Sequence, residues 1–215
     1  MAREPEPEEW APVFAEYREL AGNYDQRWRR YVEASVRNTL ASLDTQRNRR
    51  MLDVGCGTGV LLETLHQWAP DAELTGVDPV SEMLAVARER LPEAVRLEQG
   101  RAEKLPFADQ AFDGLVSSSV FHFVEGPRTA LNEMYRVLRF GGELVITDWC
   151  GDYLCCRLLH AWLKLTRRPH HRTWREDELR EMLEDAGFEE IRGKRYRINW
   201  FWGLMTLRCR KPGQG

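Results

Sequence analysis

The sequence predicts a three-layer α/β fold, a mostly parallel sheet with helices on both faces. Short apolar runs that read as strands alternate with helical periodicity between residues 50 and 149. Parallel strands need crossover connections, and helices supply them. The first run, Met51-Leu52-Asp53-Val54, ends in a glycine turn that opens a helix. Of 215 residues 43% are apolar, enough for a core at this size, and one domain is the default at this length.

The elements follow in order. Residues 1–9 are rich in Pro and Glu and read as a tail. Trp10, Val13, Phe14 and Tyr17 recur at helical spacing, and a second helical run extends from Asp25 to Leu43. Arg47-Asn48-Arg49-Arg50 is a polar break. After the first strand, Gly59 to Ala69 is helical, with Val60, Leu61, Leu62, Leu65 and Trp68 apolar. Glu73 to Asp78 is a strand closed by Pro79; Met83 to Leu91 is a helix; Ala94 to Leu97 and Phe112 to Ser118 are strands. Pro127 suits the first position of a helix through Leu138, which Gly141-Gly142 stops before a strand from Glu143 to Trp149. Tyr153 to Thr166 is helical and nearly apolar all round. Thr173-Trp174-Arg175-Glu176 reads as a capping box opening a helix that ends at Gly187. Phe188 to Ile198 and Trp200 to Arg210 are two β-rich runs that suit a closing antiparallel pair.

Composition narrows the function. There are 31 basic and 34 acidic residues, a net charge of −3, with both signs interleaved. That excludes a polybasic nucleic-acid tail protein and a charge-dominated disordered chain. No stretch approaches the ~20 apolar residues of a spanning helix, and the N-terminus lacks the apolar run of a signal peptide. A cytoplasmic protein is the expectation. Cysteines 56, 150, 155, 156 and 209 form no C-x-x-C clip and no ligand spacing with the five histidines, so no metal site is expected. Reduced thiols used as small apolar residues are.

Gly55-Cys56-Gly57-Thr58-Gly59 lets the backbone turn sharply and approach a ligand. Its G-x-G-x-G spacing differs from the G-x-G-x-x-G dinucleotide fingerprint, and no lysine or hydroxyl stands in P-loop position. Asp53, at the carboxyl end of the first strand, can receive a ligand ammonium directly or through water. Asp78 ends the second strand, where such sheets place a carboxylate that accepts ribose hydroxyls; its bland alternative is a turn Asp before Pro79.

Four segments together resemble one family. Leu52-Asp53-Val54-Gly55-Cys56-Gly57-Thr58-Gly59 resembles the first motif of class I S-adenosylmethionine (SAM)-dependent methyltransferases. Gly100 to Phe107 with Phe112-Asp113, Ala130 to Arg139 followed by Gly141-Gly142, and Asp177-Glu178-Leu179 through Ala186-Gly187-Phe188 resemble later segments of the quinone-biosynthesis-like (type 11) branch. The resemblance covers roughly residues 48–192. It implies a Rossmann-like sheet of seven strands, order 3-2-1-4-5-7-6, with the last strand antiparallel and an N-terminal helical cap. It also implies a single domain over 1–215: tail and cap (1–47), SAM-binding core (48–149), helical insertion or lid (150–175), and closing helix and strands (176–215). Gly55, Gly57 and Thr58 would line the methionine moiety and Asp78 the ribose. Arg101 and Ala102 would flank adenine, Ala102 through its backbone. Ser118 would offer its carbonyl to the SAM ammonium, and Tyr24, in Gly22-Asn23-Tyr24-Asp25, would close over SAM. Two positions depart from the family: Arg101 stands where Asp is usual, shifting adenine recognition to backbone and Glu103, and Phe140 stands where Pro is usual. The implied activity is methyl transfer to a small-molecule or lipid-like acceptor, without nucleic acid.

Methyl transfer from a sulfonium needs positioning, desolvation and, for some acceptors, one base. His122, in Ser119-Val120-Phe121-His122-Phe123, is the one candidate base; the alternative is a histidine packed between aromatics that orders its loop. Residues 153–175 contain six basic residues (Arg157, Lys164, Arg167, Arg168, Arg172, Arg175), three histidines and no acid. Trp162 lies among the leucines of that segment. A lid helix with a solvated basic edge is one reading; a transient membrane-surface contact or an entrance for an anionic or lipidic acceptor is the other. Two rival functions stand beside methyl transfer: a nicotinamide-dependent oxidoreductase, disfavoured by the glycine spacing, and a non-catalytic SAM-binding regulator or partner.

Overall fold

The computed structural model describes residues 11–45, 49–165, 172–199 and 202–214. In chain order these form α1 (Ala11–Leu20), α2 (Tyr24–Ala41), β1 (Arg50–Val54), α3 (Val60–Trp68), β2 (Glu73–Asp78), α4 (Ser81–Arg90), β3 (Arg96–Gln99), β4 (Phe112–Ser118), α5 (Pro127–Val137), β5 (Leu138–Trp149), α6 (Leu154–Leu165), α7 (Glu176–Asp185), β6 (Glu189–Arg197) and β7 (Gly203–Arg210). A single 3-10 turn, Phe121–Phe123, follows β4. The expectations for Trp10, for Arg47-Asn48, for Arg167 and Arg168, and for the side chains of Trp162 and Lys164 lie outside the described residues.

The seven strands form one sheet in the order β3-β2-β1-β4-β5-β7-β6. β1 pairs parallel with β2 (Leu52 opposite Thr75) and with β4 (Leu52 opposite Leu115). β7 runs antiparallel to both β5 and β6. The short 198–202 turn dictates that reversal: Ile198 N donates to Trp202 O (2.9 Å), and Trp202 N to Asn199 Oδ1 (2.7 Å). So few residues join only antiparallel neighbours. One edge of the sheet is β3 and the other β6, where Arg192, Lys194, Arg195 and Arg197 discourage further strand pairing.

Helices cover both faces, so β1 and β4 are buried along nearly their whole length rather than at alternate residues. On one face α5 buries Ala130, Leu131, Met134 and Val137 with Phe112, Leu138 and Leu144. On the other α3 buries Leu61, Leu62 and Leu65 with Met51, Leu74 and Val116. Each such leucine contributes roughly 1.5–3 kcal/mol. The chain leaves β1 toward β2 and β3, then crosses back to β4. That reversal opens a crevice at the carboxyl ends of β1 and β4, where ligands of such sheets bind.

Three local expectations shift. The α7 cap lies two residues later than Thr173 suggests: Arg175 N donates to Glu178 Oε2 (2.8 Å), and Thr173 Oγ1 has no partner. The cause is Trp174, held extended by a bridge to Cys150, with Gly151 N donating to Trp174 O (2.7 Å). β5 starts at Leu138 rather than Glu143. Gly141 (φ +72°) sits inside it, where the pairing with β4 jumps from Phe112–Leu138 to Gly114–Glu143. β3 is displaced to Arg96–Gln99. All five cysteines are free thiols, four of them buried.

Candidate functional site

The glycine turn builds the floor of the cleft. Gly55 and Cys56 donate their N–H groups to Val77 O (2.7 and 3.1 Å), pinning the turn to β2. Gly55, Gly57 and Gly59 all have positive φ. A Cβ on Gly55 would stand 2.5 Å from the Val120 methyls, whereas one on Gly57 would enter open space. Gly55 is therefore required by packing, and Gly57 leaves room beside its backbone.

Above this turn a cleft encloses ≈ 860 Å³, part of it open to solvent. Tyr24, Asp53, Gly55, Gly57, Thr58, Asp78 and Ser118 line it. Arg101, Ala102 and Glu103 line an adjoining cavity of ≈ 450 Å³, which shares Gly55, Pro79, Val120 and Phe123 with the first. The structure thus brings ten of the eleven sequence-derived residues to one continuous depression. His122 is the exception.

Two carboxylates dominate the electrostatics. Asp53 is buried and its Oδ1 has no hydrogen-bond partner. Burial, reinforced by neighbouring Asp78, pushes its carboxyl from the ordinary 3.8 up to about 8. Asp78 accepts Gly57 N (2.9 Å) on Oδ2 and Val80 N (2.8 Å) on Oδ1. Burial raises it to about 6, against the pull of those two N–H groups. Each Asp78 oxygen keeps a second lone pair. The site is short of positive charge and of donors.

The N-terminal helices form one wall. Tyr24 lies 5.7 Å from Tyr17, whose ring meets Phe123 edge-on at 5.3 Å. Burial lifts the Tyr24 hydroxyl to about 12, so it stays protonated. The Thr58 hydroxyl donates to Asp25 Oδ1 (2.7 Å). Arg90 pairs with Asp25 and donates to Thr58 O (2.9 Å). Asp25 and Arg90 thus tie α2 and α4 to the glycine turn, which sequence reasoning missed although Asp25 adjoins Tyr24. At the β4 end, Ser119 adopts φ +63°, unusual for a serine. Its hydroxyl accepts from Tyr31 (2.8 Å), which accepts from Trp149 Nε1 (2.8 Å).

In the second cavity Arg101 pairs with Glu103 (3.3 Å) and Glu125 (3.1 Å). Glu103 Oε1 also accepts Glu125 N (3.0 Å) and Gly126 N (3.4 Å). Glu103 therefore holds the loop before α5.

His122 stands behind the wall, 3% exposed. Its Nδ1 lies 2.6 Å from Asp148 Oδ1, and its backbone N–H donates to Asp148 Oδ2 at 2.8 Å. The ring stacks on Trp149 (4.6 Å, 18°) and meets Phe123 at 4.1 Å. His122 does not line the cleft. Asp148, fully buried at the end of β5, went unnoticed in the sequence because its partner is 26 residues away. Among the described residues no His/Cys/Asp/Glu cluster could hold a metal ion.

A methyltransferase-domain family model matches residues 52–146. A demethylmenaquinone methyltransferase of Deinococcus radiodurans is 36% identical over 135 residues, covering 61% of this chain and 53% of that protein. Residues 52–146 are thus similar to the methyltransferase-domain family, and the relatives include ubiquinone/menaquinone-biosynthesis methyltransferases. The chain spans about half the length of such curated relatives. A SAM-dependent methyltransferase of Thermotoga maritima shares the fold with TM-score 0.77 at 23% identity, covering 94% of this chain and 99% of that one. The [4+2]-cyclase SpnF also shares it (TM-score 0.66, 23% identity, 85% and 83% covered), so this architecture alone does not define a reaction. SAM is the family's cofactor, and the residues present fit it: the orphaned Asp53 oxygen and the open side of Gly57 meet a cation's need for charge and space.

Proposed function

We propose that this chain transfers a methyl group from SAM to a small-molecule or lipid-like acceptor. The observation that carries the reading is the buried, unpartnered Oδ1 of Asp53 on the glycine-turn cleft. SAM, when bound, would supply a sulfonium methyl carbon open to in-line attack by an acceptor, the S–CH3 bond breaking to leave S-adenosylhomocysteine. Asp53 meets the ligand ammonium, joined by the Ser118 carbonyl. Gly55 and Gly57 give their backbone to the methionine portion, and Asp78 accepts the ribose hydroxyls on its remaining lone pairs. Arg101, Ala102 and Glu103 border the base, with Glu103 serving chiefly to hold Arg101 and the loop at Gly126. Tyr17, Tyr24 and Phe123 exclude water from the same cleft. His122, held by Asp148 behind Phe123 and Trp149, is a positioning residue for that wall.

The test has two arms. Asp78→Ala removes a charged acceptor worth ~1.5–3 kcal/mol, so SAM affinity by calorimetry falls roughly 10- to 150-fold. Labelled SAM is then incubated with quinol-like, fatty-acid and phospholipid acceptors, with polar amines and catechols as controls. Label on an apolar acceptor supports the reading. SAM binding with no transfer to any extract points to a non-catalytic binder, and NADH binding in place of SAM points to the oxidoreductase.

A further inference from the structure

Helix α6 presents two of its leucines to solvent. Leu154 is 65% exposed and Leu158 63%. They are four residues apart and so share one face, which Ala161, also exposed, continues. Arg157 flanks that row and is exposed as well. The inward side is taken by Cys156, whose thiol reaches Gly203 O (3.5 Å). The helix is therefore packed on its sulfur side and bare on its leucine side.

Charge says what fits the bare side. From residue 153 to residue 175 there are six basic side chains and no acid, in a chain whose net charge is −3. The flanking acids offset Arg175 alone among the described members of the six, through Asp152 and Asp177. Asp152 accepts Glu176 N and pairs with Arg175 and Arg195. Glu176 pairs with Arg180 and Arg195. Arg197, on the neighbouring edge strand, lies over the Tyr153 ring at 4.9 Å, beside the start of α6. A second copy docked about a two-fold axis would set this acid-free segment against itself, base against base.

We infer that α6 is an interfacial helix that seats the exposed Leu154–Leu158 face on an anionic lipid surface, with Arg157 at the headgroups. Apolar side chains then enter the acyl boundary while cationic stems reach the phosphates. The inference goes beyond the methyltransferase reading and does not rest on it. Its assay contains no SAM.

The full chain is sedimented with phosphatidylcholine vesicles with and without about a third phosphatidylserine, at low and high salt. Binding is expected to the anionic vesicles only, weakening as salt rises. Leu158→Glu removes the burial of one leucine and should weaken binding roughly 10- to 150-fold. Arg157→Glu should weaken it roughly 10- to 25-fold, at about five-fold per basic charge lost and more for reversal. Leu154→Gln and Leu158→Gln serve as milder variants, with thermal melts as the folding check. Equal binding to both vesicle types, absence of binding, or wild-type binding by folded leucine variants would overturn the inference. So would a lipid-free dimer, seen by sedimentation velocity, that Leu158→Glu dissolves.

Discussion

Asp53→Asn tests the electrostatics of the cleft without reference to any acceptor. The wild-type carboxyl titrates near 8 in the folded chain, against 3.8 ordinarily. Between those values the folded state holds a proton that the unfolded state has released, so stability falls as pH rises. The slope is about 1.4 kcal/mol per pH unit while the difference is one proton, which integrates to ~2 kcal/mol between about pH 6 and about pH 8. Asp78, raised only to about 6, contributes mainly below that window. For a chain of this size ~2 kcal/mol is roughly 4–8 °C in Tm. The ligand-free wild type should therefore lose that much more Tm than Asp53→Asn across the window, measured by scanning calorimetry. Saturating SAM should shrink the gap, because an ammonium beside Asp53 favours its ionised form and lowers its pKa. Parallel Tm–pH curves for the ligand-free wild type and variant would refute the assignment of a buried, unpartnered carboxyl.

Gly55→Ala should destabilise the fold by roughly 2–5 kcal/mol, from its positive φ and the contact with Val120; pairing it with Val120→Ala should recover the steric share in urea melts. Asp25→Ala removes the acceptor for Thr58 and Arg90, and amide exchange across residues 11–30 should quicken while SAM affinity drops several-fold; unchanged exchange would mean the latch does not hold the cap. His122→Asn keeps a donor for Asp148, so a positioning role predicts an unaltered pH–rate profile with a modest fall in kcat. A loss of ~10²–10⁴ with disappearance of the acidic limb would instead make His122 the base.

What could be read in the sequence was what adjacent residues determine. Strand–helix alternation, the glycine turn after Val54 and the acid closing β2 all depend on neighbours within a few positions, and they led to the parallel α/β reading and to the cleft floor, while the sheet order came from the family resemblance. Resemblance added Tyr24, Arg101, Ala102 and Ser118 on the same basis, as residues inside continuous motifs. Tertiary structure decided whatever needed two distant segments at once. The Asp25–Thr58–Arg90 tie joins residues up to 65 positions apart, and the Trp149–Tyr31 bond joins residues 118 apart. Thr58 and Glu103 were visible as polar side chains, but which groups consume their hydrogen-bonding capacity was not. His122 was legible as a base or as a packed histidine, because local sequence carries a residue's chemistry and not its burial. The apolar α6 pattern likewise could not say which side would be covered. That depended on β7 bringing Gly203 to Cys156 and on no described residue covering Leu154 and Leu158. Local periodicity determines an element; packing between elements determines which of its atoms remain available to a ligand.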